Sequence, residues 1–124
     1  MQENLTLQTN SLINYDEALN RMGGDETFLS ELINDYITDF NHYFLKIKFA
    51  IEDDDFSEIS LIGHTLKGSS AMLSLITISL ISSQMEIAGV EKNIFSAKRL
   101  LLELKNEFEK LMDLFSKIKL IQLN

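Results

Sequence analysis

Cysteine, proline and tryptophan are missing altogether from the 124 residues, histidine occurs twice, and 11 basic side chains face 19 acidic ones, for a net charge of -8. Without cysteine there is no disulfide framework, no thiolate metal site and no cysteine nucleophile, so stability has to come from a packed core. A one-domain length with 45% hydrophobic residues suffices for that. The acid surplus argues against duplex DNA or RNA, whose phosphates bind clustered Lys and Arg; a locally basic spot still suits a single phosphoryl group. Two histidines are too few for a His-rich di-iron bundle. No Gly-x-Ser-x-Gly elbow and no Walker or kinase glycine-rich loop occurs, which argues against a hydrolase and an ATP-using kinase.

Long apolar runs are also absent. The longest nearly uncharged stretch, Gly68 to Met85, is broken by Ser69, Ser70, Ser74, Thr77, Ser79, Ser82 and Ser83, and falls short of the roughly 20 apolar residues of a membrane span. Met1-Gln2-Glu3-Asn4 does not open a secretory signal. A cytoplasmic location is the expectation.

What is present is helical periodicity. Residues 1–10 are polar with isolated leucines and suit a tail or lead-in, so the chain divides into a segment over 1–13 and one bundle domain over 14–124. Asn14 is placed to cap a short helix with acidic residues in its first turn, stopped by Gly23-Gly24. Asp25 caps a second helix to about Glu52, with Leu29, Leu32, Ile33, Tyr36, Phe40, Tyr43, Phe44, Ile47 and Ile51 at steps of three and four. The run Glu52-Asp53-Asp54-Asp55 lacks the ligand pattern of an EF-hand loop and reads as a turn plus an N-cap. A third helix buries Phe56, Ile59, Ile62, Leu66, Ser69 and Leu73. A fourth carries Ile78, Ile81, Met85 and Ala88 on one face and ends near Gly89, taken as a left-handed C-cap. The last has Ala97, Leu101, Leu104, Phe108, Leu111, Phe115 and Ile118 in bundle spacing. Phe28, Phe40, Phe44, Phe56, Phe108 and Phe115 are assigned to the core. No strand-like alternation appears, and an antiparallel helical bundle follows.

On the third helix, His64 lies about 170° from the mean direction of the apolar stripe and therefore faces solvent. Ser60, Lys67, Gly68 and Ala71 share its face. A glycine inside a regular helix costs about 1 kcal/mol relative to alanine, and a bare backbone beside an exposed imidazole lets another molecule approach the ring. Lys67 brings a positive charge to within a helical turn, suited to the oxygens of a phosphoryl group. Near neutral pH an imidazole offers a lone pair as base or nucleophile. Spacing alone leaves open an ordinary surface histidine and lysine beside an incidental glycine.

Gly63-His64-Thr65-Leu66-Lys67-Gly68-Ser69-Ser70 resembles the signature of histidine-containing phosphotransfer (HPt) domains, a His followed by x-Leu-Lys-Gly-Ser. The likeness runs from about Asn14 to about Leu120. Ala18 to Glu26 resembles the family's short helix ending in Gly-Gly-Asp, Leu29 to Tyr36 its first long helix, and Met85-Glu86 a pair facing the histidine helix. The resemblance implies an all-α fold, an antiparallel four-helix bundle with a short N-terminal helix. It implies a phosphohistidine carrier without a nucleotide site, in which His64 takes a phosphoryl group from a receiver-domain aspartate and passes it to another receiver. Lys67 would stabilise the phosphoryl oxygens, Gly68 would give steric clearance, and Glu86, or less readily Gln84, would orient the ring.

The implied partners are response-regulator receivers and a hybrid sensor histidine kinase, acting on a monomer with no cofactor of its own; Mg²⁺ would belong to the receiver. Ser74 stands where the family often has glycine, and a small Ser should be tolerated there; Asp54 sits where a Gly-Asp turn is common, and Asp accepts a left-handed backbone. Ser60, Leu61, His64, Lys67, Gly68 and Ala71 form the expected docking face; Leu75 is assigned to packing and His42 to solvent. The alternative function is a helical module that binds receiver or kinase domains without phosphotransfer.

Overall fold

The computed structural model describes residues 12–118, so the tail expected over residues 1–10 and the side chain of Ile118 lie outside what is described. Within that range the chain forms five helices: α1 (Tyr15–Arg21), α2 (Glu26–Glu52), α3 (Phe56–Met72), α4 (Ile76–Val90) and α5 (Ile94–Ile118). No strand occurs among the described residues.

The polar residues ahead of the helices work as caps. Side-chain oxygens of Asn14, Asp25, Asp55 and Asn93 accept from the backbone N–H three residues on, at 3.0 to 3.1 Å, which satisfies donors the helix leaves unpaired. The run at 52–55 is thus a turn ending in the Asp55 cap.

One turn recurs at every corner. Gly23, Asp54, Ser74 and Lys92 each have a positive φ, of 69°, 52°, 56° and 55°. The next residue's N–H reaches back five residues, as in Asp55 to Ala50 at 2.8 Å, Leu75 to Ser70 at 2.9 Å and Asn93 to Ala88 at 2.9 Å. This is the Schellman arrangement, built at three of four corners without glycine. Ser74 is held there by its hydroxyl, which donates to Glu17 at 2.7 Å and accepts from Arg21 at 3.1 Å. Lys92 therefore takes the left-handed position that the sequence suggested for Gly89; Gly89 lies one turn earlier, buried inside α4.

Three-residue connections leave each long helix no course but back along its predecessor, and α2, α3, α4 and α5 pack in a closed cycle. The core runs from Leu12 and Ile13 through Leu29, Ile33, Phe40, Ile59, Leu66, Ile78, Met85, Leu104 and Phe115, each large side chain contributing about 1.5–3 kcal/mol of burial. Phe40 of α2 stacks on Phe108 of α5 with centroids 3.9 Å apart. Two assignments are corrected. Phe28, in the first turn of α2 and one residue before the buried register that starts at Leu29, is 45% exposed. On α3 the buried position is Ser70, with Ser69 half-buried, because the hydroxyl of Tyr36 on α2 meets Ser70 Oγ at 2.6 Å inside the core.

Candidate functional site

Helix α3 presents His64 to solvent, its side chain 64% exposed. The stripe Ile59, Ile62, Gly63, Leu66 and Ser70 turns inward, so a residue on the opposite side faces out. Lys67 follows one turn on and is half-buried against α4. Glu86 comes from the middle of α4 and stands between them: its Oε2 lies 3.2 Å from His64 Nδ1 and its Oε1 accepts from Lys67 Nζ at 2.9 Å.

That double contact sets the chemistry of the ring. The Lys67 hydrogen bond, reinforced by the charges of Lys67 and His64 and opposed by partial burial, holds the Glu86 carboxyl below the usual carboxylate range. An ionised carboxylate only accepts. In the neutral ring Nδ1 must then carry the proton, which leaves the lone pair on Nε2.

The surroundings are small or exposed. A Cβ added at Gly68 would meet nothing within 4 Å, so the glycine answers to no internal packing demand. Ala71 is exposed and Leu61 is 61% exposed, whereas Leu75 is fully buried. Ser60 is half-buried, its backbone lying against Gly89 of α4. Gln84 is exposed and lines grooves shared with α5, among Glu103, Glu107 and Arg99; Glu86 is the α4 side chain that reaches the ring. His42 is exposed on α2 beside Tyr43. Among the described residues no cluster of three His, Asp or Glu has the arrangement of a metal site, and no helix is long and apolar enough to cross a membrane.

One contributor was not singled out from sequence. Gly63, next to the histidine, is buried against α4; the signal that points to it is a second glycine in the same helix on the inward face.

The family model for the Hpt domain matches residues 31–114. The chain belongs to the Hpt domain family. Hpt domains are helical bundles that carry phosphoryl groups on histidine in two-component systems, as carrier modules that meet receiver domains and kinases and not as nucleotide-binding enzymes. No curated protein and no solved structure matches this Hpt domain.

Proposed function

We propose that His64 is the phosphoacceptor of this Hpt domain, taking a phosphoryl group from the aspartate of one receiver domain and passing it to the aspartate of another. The observation that carries the reading is the exposed imidazole whose Nδ1 is bound to Glu86, with Nε2 left as the free nucleophile. The Nε2 lone pair attacks phosphorus, the N–P bond forms, the acyl-phosphate O–P bond breaks, and its electron pair returns to the aspartate carboxylate. The Nδ1 proton stays on Nδ1, where Glu86 offsets the positive charge the ring acquires. Transfer onward runs the same steps in reverse.

Lys67 neutralises the phosphoryl oxygens, as such transfers require more than covalent machinery. Gly68 clears the approach, and Ser60, Leu61 and Ala71 border it. A hybrid sensor kinase supplies the first receiver, the Mg²⁺ of the transfer sits in the receiver's acidic pocket, and the carrier acts as a cytoplasmic monomer.

The test is transfer from a phosphorylated receiver, followed as acid-labile, base-stable label. His64→Gln should take up none; label at the wild-type level would end the assignment.

A further inference from the structure

Two glycines flank the site on α3 and face opposite ways. Around Gly68 there is open space, but a Cβ on Gly63 would lie 2.7 Å from the backbone N and 3.0 Å from the Cα of Glu86, and 3.1 Å from the carbonyl oxygen of Ser82. Carbon does not approach backbone atoms that closely, and backbone inside a helix has no rotamer by which to step aside. Helix α4 therefore sits at this depth only because residue 63 has no side chain.

The atoms that a Cβ would displace belong to the residue that holds the histidine. Its bond to His64 Nδ1, at 3.2 Å, is already at the long end of the hydrogen-bond range, so a small outward shift of α4 at this level weakens it steeply. A Cβ on Gly89 would be just as crowded, 2.5 Å from the backbone N of Ser60 and 2.8 Å from the carbonyl oxygen of Phe56, but with none of His64, Lys67 or Glu86 among its nearest atoms. Two glycines of the interface thus leave no room for a Cβ, and one of them lies at the site.

We propose that Gly63 is a positioning residue for phosphoryl transfer: by letting α4 pack directly on α3 it sets the reach of Glu86 to Nδ1 and so keeps the lone pair on Nε2. This rests on the phosphohistidine reading of His64. Gly63 itself touches neither the phosphoryl group nor the partner.

The experiment observes the imidazole nitrogens of the full chain, labelled with ¹⁵N-histidine, at a pH where the ring is neutral. Wild type should show the Nδ1–H form. Gly63→Ala should lower the ratio of Nδ1–H to Nε2–H by about tenfold, a loss on the scale of one charge-assisted hydrogen bond. Glu86→Ala should do the same, and the double variant should go no further. A wild-type ratio in Gly63→Ala overturns the proposal. If that variant does not fold, it is remade with Gly68→Ala, which meets nothing and adds helix propensity; failure of both makes Gly63 a folding residue and also overturns it. Labelling of wild-type His64 by phosphoramidate decides the phosphohistidine reading separately, whatever the tautomer result.

Discussion

Glu86 on α4 binds His64 Nδ1 with one carboxylate oxygen, at 3.2 Å, and the Lys67 ammonium with the other, at 2.9 Å. One side chain thus bridges the imidazole and the ammonium. Gln keeps an acceptor for Nδ1–H but gives up the charge that anchors Lys67. Glu86→Gln should retain the Nδ1–H tautomer and most of the phosphoryl uptake from phosphoramidate, whereas Glu86→Ala should slow uptake by about tenfold, the kinetic equivalent of one lost hydrogen bond. Equal rates for wild type and Glu86→Ala would remove the carboxylate from the mechanism.

Lys67 is the main cause of the lowered Glu86 pKa. A carboxylate depressed in the fold adds stability above its ordinary value of 4.5, and that contribution disappears as pH falls through the depressed value. Lys67→Ala should move the Glu86 ¹³C carboxyl titration back up toward the ordinary range and flatten this part of the acid melt. An unmoved midpoint would assign the depression to another cause. The same variant should shorten the phosphohistidine half-life by about tenfold, less than the roughly hundredfold or more for loss of a water-excluded electrostatic stabiliser, because the lysine is 37% exposed and screened by water.

Substitutions at Gly68 test stability and the proposed docking separately. Since an added Cβ meets nothing within 4 Å, Gly68→Ala should stabilise the bundle by about 1 kcal/mol through helix propensity. Gly68→Gln should leave labelling by phosphoramidate intact and slow transfer from a phosphorylated receiver by tenfold or more, the size of one blocked contact at the centre of an interface. Equal losses with both donors would show that the side chain obstructs the ring and not the partner.

Tyr36 and Ser70 share a buried hydroxyl pair at 2.6 Å, and burial pushes the Tyr36 phenol pKa well up. Tyr36→Phe strands the Ser70 hydroxyl, and the melt should show a loss of about 1–3 kcal/mol. Tyr36→Phe combined with Ser70→Ala should recover part of it; no recovery would mean that packing, not the hydrogen bond, is what Tyr36 supplies.

The helices, their caps and the outward face of His64 follow from residue order, because capping, turn chemistry and a 3.6-residue period act over a few positions along one chain. The resemblance around His64 also implies that Lys67, Gly68 and Glu86 share one neighbourhood. Distance between helices was not available that way. It depends on the side-chain volumes of two faces at once, and so the tertiary structure alone decided that Gly63 and Gly89 leave no room for a Cβ against the facing helix, with Gly89 no C-cap. It also decided that Ser70, not Ser69, turns to the core to meet Tyr36, and that a carboxylate 22 residues from the histidine stands within 3.2 Å of its ring.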